Sequence, residues 1–315
     1  MNTAVTEKSV KRRHVVHTGF VLFVLSSILC ACDRLETIDY SPKITPDAFL
    51  KAQPHVQVRL GGAGFTLIQP SSSVIVYLAA LSSVGAGLYF LRVRGTQRAR
   101  LWWGIGLTLS GIGALLAGTS YQSFGYEIKC AGRAFCTWTS WWEAGYLLCT
   151  GAGMNALLTA VAYSCATGGV RRALFVYAAG NTAVYAAAVL SGAFVPVRFL
   201  LTFECLLLAG LPAVALALVL AGQSYVARRD PMSLALLKAW GGFVLVIIAY
   251  LLAQSLGLAQ RLWQEGIWFT ENDVLHVGMI LWILHVARSL PRRIEDRSGP
   301  AMDTTVEAES PPPAG

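Results

Sequence analysis

The chain has 315 residues, of which 55% are hydrophobic and 13% are charged, with a mean hydropathy of +0.55 and a formal net charge of +8. Soluble domains carry about 25% charged residues, so this composition excludes an ordinary water-soluble protein. The apolar residues stand in long blocks, as in membrane-spanning helices. We therefore expect an all-α, polytopic membrane helical bundle whose partner is the lipid bilayer, with no nucleic acid.

Apolar runs of about 17 to 25 residues predict about eight spans, seven of them in a core within residues 71–290. The predicted spans are Val15–Ala31, Ser71–Leu91, Leu101–Phe124, Trp141–Cys165, Ala173–Phe194, Phe199–Gly222, Leu234–Leu258 and Val274–Ser289. The other predicted segments are a basic N-terminus (1–14), a first span or signal (15–32), an extracytoplasmic loop (33–70) and a tail (291–315). The tail ends Ser-Pro-Pro-Pro-Ala-Gly, which is typical of disorder.

The N-terminal segment has two interpretations, which the sequence leaves open. Lys11, Arg12 and Arg13 precede a short apolar stretch, as in a secretory signal. The sequence Leu29–Cys32 resembles a bacterial lipobox, which would make Cys32 the lipidated first residue of the mature protein. The alternative is an uncleaved anchor of about 17 residues, at the short end of what spans a bilayer.

Lysine and arginine residues divide unevenly between the two sides of the predicted bundle. Seventeen fall on the N-terminus, the C-terminal tail and three intervening loops, and eight fall on the other set of loops. Cytoplasmic loops are enriched in these residues, so the C-terminus and the Arg-rich loops are predicted to be cytoplasmic. Together with the lipobox-like sequence, this predicts a multi-pass protein of the bacterial inner membrane.

Two cysteines lie on the predicted outer side of the membrane. Cys130 and Cys136 are six residues apart in the loop 125–140, where disulfides persist. We expect an intrachain disulfide, with two free thiols as the alternative. A zinc pair is disfavoured because this loop contains no histidine.

Ionisable groups at membrane depth are costly, so each is a functional hypothesis. The candidates, all predicted in or near the outer third of the bundle, are Glu127, Glu143, Glu204, Asn272, Asp273 and His276. Asp273 and His276 are three residues apart on one helical face, so the carboxylate can orient or charge the imidazole. As alternatives, Glu127 and Glu143 are solvated at the interface, and Asp273 or Asn272 is a helix N-cap. Glu204 is predicted about one turn inside its helix.

The seven core spans resemble the superfamily of alkaline ceramidases and progestin/adipoQ receptors. The second core helix ends Gly118–Phe124, the third begins Trp142-Glu143, and the last opens Asn272–His276. The resemblance assigns Ser120 to the position of a polar serine in that superfamily and Glu143 to the position of its acid. It assigns His276 to the first histidine of the superfamily's metal-binding pair. It implies a zinc-dependent hydrolase of a lipid amide or ester.

The chain departs from that pattern at two positions. Ile280 stands where the second histidine of the pair is expected, and Gln122 or Phe124 stands where the second core helix should supply a histidine. A catalytic zinc needs about three protein ligands, which here would be the unusual set His276, Glu143 and Glu204. The resemblance therefore implies an altered or missing metal site.

Three functions follow from these features. The first is a non-enzymatic seven-helix module, receptor-like or binding a lipid or protein partner, with a polar cluster near the outer face. The second is a metal-dependent membrane hydrolase centred on His276, and the third is a transporter or channel. The last span contains no lysine, which disfavours a Schiff-base photoreceptor.

Overall fold

The structure, a computed structural model, describes residues 34–297. The predicted first span, the lipidation candidate Cys32 and the last part of the predicted tail (298–315) lie outside the described residues.

Within residues 34–297, seven long helices correspond to the seven predicted core spans. They are α2 (Pro70–Arg92), α3 (Arg98–Ala117), α5 (Trp141–Cys165), α6 (Gly168–Phe194), α7 (Phe203–Arg228), α8 (Pro231–Ser255) and α10 (Glu271–Ser289). The smaller elements are α1 (Pro46–Lys51), β1 (His55–Leu60), β2 (Ala63–Ile68), α4 (Gly125–Lys129), α9 (Leu258–Gln264), a π-helical turn (Gly118–Ser123) and the 3-10 turns Leu35–Thr37 and Arg198–Leu201.

Six of these helices, α2, α3 with its π-helical turn, α5, α6, α7 and α8, are long and apolar enough to cross a membrane. The protein is therefore a multi-pass membrane protein built as an all-α helical bundle. Helix α10 is not among the six. It has 19 residues, and its two ends carry polar and charged side chains such as Asp273 and Arg288. The predicted total of about eight spans is therefore not confirmed.

The long helices form a ring in the order α2, α3, α5, α7, α8 and α10, with α10 packing back on α2 and α6 packing on the outside of α5. The aromatic side chains of Phe90, Trp103, Trp240, Phe243 and Trp282 fill the interior. The Trp103 ring lies 5.9 Å from that of Phe90 and 6.3 Å from that of Trp240. Close aromatic packing of this kind closes the interior of the ring at that level.

Glycine lets the central helices approach closely, as expected for helix packing in lipid. A Cβ atom at Gly106 of α3 would lie 3.0 Å from the carbonyl oxygen of Gly153 on α5, and the reverse substitution would meet the carbonyl of Gly106 at the same distance. Any side chain at either position would separate the two helices.

The predicted outer loop contains a β-hairpin that our sequence interpretation did not include. Strands β1 and β2 pair antiparallel from His55 opposite Ile68 to Leu60 opposite Ala63. The turn is Gly61-Gly62, and both glycines have positive φ (55° and 92°). A two-residue turn with positive φ at both positions matches the twist of a hairpin. The pair Gly61-Gly62 was therefore the feature of the sequence that could have indicated this hairpin.

We call the end of the bundle that carries residues 34–69 and 118–140 the loop end. The two segments are joined there by backbone hydrogen bonds from Cys136 to the carbonyl of Ile44 (2.9 Å) and from Trp138 to that of Ile38 (2.7 Å). The Cys130–Cys136 disulfide is formed, which confirms the prediction. These contacts hold the two segments together at this end.

We call the opposite end, which carries residues 93–97, 166–167, 229–230 and 290–297, the tail end. The predicted disorder of the tail does not hold for residues 291–297. The Asp296 carboxylate accepts hydrogen bonds from the backbone N–H groups of Arg98 (2.8 Å) and Ala99 (2.7 Å), and Ile294 is fully buried. These residues are ordered because they complete the first turn of α3, whose own N-cap residue makes no side-chain cap.

Candidate functional site

The π-helical turn at the end of α3 positions Ser120 inside the loop end, where it is fully buried. A Cβ atom at Gly125 would lie 2.5 Å from the carbonyl oxygen of Ser120, so only glycine permits the chain to fold back at this distance. π-Helical turns occur often at functional sites. Here the turn directs a serine toward the first turn of α5.

Glu143, in the first turn of α5, accepts two hydrogen bonds on one carboxylate oxygen. Lys129 Nζ lies 2.7 Å from Glu143 Oε1, and the two side chains are only 3% and 2% exposed. Ser120 Oγ donates to the same oxygen at 2.8 Å and also lies 2.8 Å from Ser140 Oγ. The Lys129 ammonium in addition stands 4.9 Å from the centre of the Tyr121 ring.

The charge of this cluster is balanced within the protein. Burial by itself lowers the pKa of Lys129, but the Glu143 carboxylate, with a smaller contribution from Tyr40, raises it by more, so that the net pKa is above the ordinary value. Lys129 is therefore held in its charged form, and Glu143 is a buried ion-pair partner rather than the solvated interfacial acid that was one of our alternatives.

A second polar cluster lies where α10 begins. Thr270 is the N-cap of this helix, and Asp273 is the third helical residue of a capping box, so neither Asp273 nor Asn272 is the N-cap. Asp273 Oδ2 accepts hydrogen bonds from the backbone N–H of Thr270 and from Ser72 Oγ on α2, both at 2.8 Å. The carboxylate thus joins the first turns of two neighbouring helices.

Two buried polar atoms in this second cluster have no hydrogen-bond partner within residues 34–297. They are Asp273 Oδ1 and His276 Nδ1, one helical turn apart on α10. The helical face that the two residues were predicted to share therefore carries one carboxylate oxygen and one ring nitrogen. Both atoms are enclosed and form no hydrogen bond within the described residues.

The remaining predicted residues are distributed more widely. Glu204 is the second residue of α7 and is exposed, not a turn inside the helix, because the preceding residues form a separate 3-10 turn. Glu127 is exposed and accepts a hydrogen bond from the Thr66 backbone at 2.8 Å, which ties β2 to α4. Asn272 is exposed. Gln122 is buried, with Oε1 unpaired in the described part of the chain.

The candidate zinc ligands do not converge. Among the described residues, no group of three or more His, Cys, Asp or Glu side chains could hold a metal ion. Glu143 is used by Lys129 and Ser120, and Glu204 is exposed on α7. The residues present at His276, Glu143 and Glu204 therefore do not fit a zinc site.

Sequence reasoning missed several residues that organise these clusters. Lys129 was counted only as a loop charge, although it is the partner of Glu143. Ser72 and Ser140 carried no distinguishing pattern. Thr270 did carry one, because Thr-x-x-Asp is a capping-box spacing.

Neither a family model, nor a curated protein, nor a solved structure matches this chain.

Proposed function

We propose that the chain is a non-enzymatic, receptor-like binding module of the bacterial inner membrane, with its ligand site at the loop end of the bundle. The observation that carries the proposal is the pair of enclosed atoms Asp273 Oδ1 and His276 Nδ1, neither of which has a hydrogen-bond partner among residues 34–297. Leaving a buried polar atom without a partner costs about 1 to 3 kcal/mol. A bound polar ligand that donates to Asp273 Oδ1 and also forms a hydrogen bond with His276 Nδ1, which donates or accepts according to its tautomer, would recover that cost.

The rest of the second cluster is suited to presenting these two atoms. Ser72 and Thr270 hold the other carboxylate oxygen of Asp273, so the side chain is fixed by α2 and by the capping box. Because the carboxylate is held through Oδ2, the position of Oδ1 is fixed as well. His276 follows one turn later on the same helix. This pre-organisation lowers the conformational cost of binding.

A catalytic role is less well supported by the other acids. Glu143 is neutralised by Lys129 in a closed cluster, and Glu204 stands apart on α7. A conducting role is less well supported too, because the indole rings of Trp103 and Trp240 pack inside the ring of helices. The resemblance to the ceramidase and adipoQ-receptor superfamily stays a prediction.

The proposed orientation places the loop end outside and the tail end in the cytoplasm. It is supported by the uneven distribution of lysine and arginine. Inclusion of α10 as a span is supported by its exposed apolar side chains Val277, Leu281 and Leu284, which would face lipid. On these grounds the described part of the chain contributes seven spans.

Elemental analysis of the purified full chain tests the proposal. We expect less than about 0.1 equivalent of zinc or another transition metal per chain, since a catalytic site needs about three protein ligands. The matched variant is His276→Ala. About one equivalent of zinc in the wild-type protein that is lost in this variant would overturn the non-enzymatic function and favour the hydrolase.

A further inference from the structure

Two grooves run along α10 and meet at Leu281. The first, of about 370 Å³, lies between α8 and α10 and is lined by apolar residues that include Leu245, Val246 and Val277. The second, of about 360 Å³, continues toward the tail end and is lined by Leu281, Leu284, His285, Arg288, Ser289 and Arg293. The two grooves share Leu281, and together, here called the depression, they pass from apolar to basic lining along α10.

The apolar groove is a consequence of close helix packing. A Cβ atom at Gly278 would lie 2.8 Å from Val246 Cγ1, so α8 and α10 touch at this glycine. The larger side chains beside the contact stand outward, and Leu245 and Leu281 are 67% and 64% exposed. In a membrane these walls would face hydrocarbon, and an acyl chain would lie between them.

The basic groove carries charge that no acidic side chain in the described part of the chain pairs with. His285, Arg288 and Ser289 lie on one face of α10, and Arg293 follows just after the helix ends. Within residues 34–297, the guanidinium groups of Arg288 and Arg293 make no salt bridge and no hydrogen bond. Both side chains are exposed. Arginine binds phosphate oxygens through paired N–H donors.

We infer that this depression is a binding site for one anionic glycerophospholipid of the leaflet at the tail end. Arg288 and Arg293 would bind the phosphodiester, with Ser289 and His285 beside them, and one acyl chain would follow the groove between α8 and α10. The apolar groove extends the basic one at Leu281, which favours a lipid over free phosphate. Helix α10 has 19 residues and is about 28 Å long, enough to accommodate an acyl chain.

Diffuse attraction between arginines and an anionic leaflet would act without any site. The tail end supplies a matched control for that effect. Arg94 and Arg172 are exposed on the same end and line neither groove. The variant Arg94→Gln/Arg172→Gln removes the same charge as Arg288→Gln/Arg293→Gln and leaves the groove intact.

Native mass spectrometry of the full chain in detergent tests the site, with equal amounts of dioleoylphosphatidylglycerol and dioleoylphosphatidylcholine added. We expect one retained phosphatidylglycerol in the wild-type protein and in Arg94→Gln/Arg172→Gln. We expect roughly 100-fold weaker retention in Arg288→Gln/Arg293→Gln, since each arginine would lose a hydrogen bond between charged partners, which is worth about a factor of ten. An equal loss in both double variants would overturn the site in favour of diffuse attraction.

Two further experiments distinguish a bound lipid from bound inorganic phosphate. Val277→Trp fills the apolar groove and should weaken phosphatidylglycerol retention severalfold, because the acyl chain loses its van der Waals contacts with the groove walls. Inorganic phosphate at millimolar concentration should not displace the lipid. Complete displacement by inorganic phosphate, or full retention in Val277→Trp, would show that no acyl chain lies in the groove and would overturn the proposal.

Discussion

Lys129 Nζ and Glu143 Oε1 are 2.7 Å apart, and both side chains are almost completely enclosed by protein. The pair joins the short helix α4 to the first turn of α5, and Lys129 immediately precedes the disulfide-bonded Cys130. An enclosed pair is costly to break from one side, because the remaining group stays buried without its opposite charge.

Removal of one partner should therefore destabilise the protein strongly. We expect Lys129→Met or Glu143→Leu alone to lower the free energy of unfolding by about 3 to 5 kcal/mol, and the double variant Lys129→Met/Glu143→Leu to lower it by less than either. Thermal unfolding in detergent measures the difference. The control is Lys43→Met, which removes a surface pair with Asp39 that is 57% and 33% exposed and should cost at most about 1 kcal/mol. Additive losses in the double variant would contradict the ion pair.

The same pair gives a defined pH dependence. The folded-state pKa of Lys129 is raised above its ordinary value of 10.5. Its contribution to stability is therefore fully present below about pH 10.5 and is lost as the pH rises through the higher folded-state pKa. The difference in Tm between the wild-type protein and Lys129→Met/Glu143→Leu should stay constant from about pH 7 to 10 and change only above that. A change near neutral pH would show that Lys129 is not held charged.

The disulfide should account for two cysteines of the chain. Thiol titration of the denatured protein is expected to give two more free thiols after reduction than before, since Cys130 and Cys136 are bonded while Cys149, Cys165 and Cys205 are free. Closing so short a loop stabilises by about 2 kcal/mol, so Cys130→Ser/Cys136→Ser should unfold at lower temperature. Equal thiol counts with and without reductant would refute the bond.

Asp273 and His276 should respond differently to truncation. Asp273→Ala removes the capping box and the bond from Ser72, and we expect a loss of about 2 to 4 kcal/mol. His276→Ala removes packing but no hydrogen bond at Nδ1 within the described chain, so membrane insertion should be unchanged and thermal stability should fall clearly less than in Asp273→Ala. Equal destabilisation by both variants would make His276 a structural residue and contradict the ligand site.

The orientation can be tested with single cysteines in a background where the native free thiols are replaced. Arg59→Cys at the loop end should react with an impermeant maleimide in intact cells, and Arg229→Cys at the tail end should react only after lysis. The expectation follows from the distribution of lysine and arginine. Labelling of Arg229→Cys in intact cells would reverse the topology.

The helices could be predicted from the sequence because hydrophobic blocks of about 20 residues are long enough to be read without tertiary information. The pair Cys130 and Cys136 was predictable for a similar reason, since both lie in one short loop and are confirmed as a disulfide. Both features depend only on residues that are close together in the sequence, so they can be predicted without knowing how distant segments pack.

Contacts between segments were not predictable in the same way. Glu143 was identified as an important acid, but nothing in the sequence selects Lys129 rather than water as its partner, since the choice depends on how the loop folds back. Similarly, Glu204 was placed inside a helix because hydropathy does not register the 3-10 turn Arg198–Leu201 that delays the start of α7. The hairpin at Gly61-Gly62 was overlooked because two six-residue strands are weak signals beside long apolar blocks.

The contact between Asp296 and the first turn of α3 has a consequence for biosynthesis. The carboxylate and the Arg98 backbone that it binds are 198 residues apart, so a ribosome completes α3 long before it makes the group that caps it. Until then the first N–H groups of α3 must be satisfied by water or lipid headgroups. The start of this helix is therefore completed only when residue 296 has been made, and a chain that stops short of Asp296 leaves the N–H groups of Arg98 and Ala99 without these acceptors.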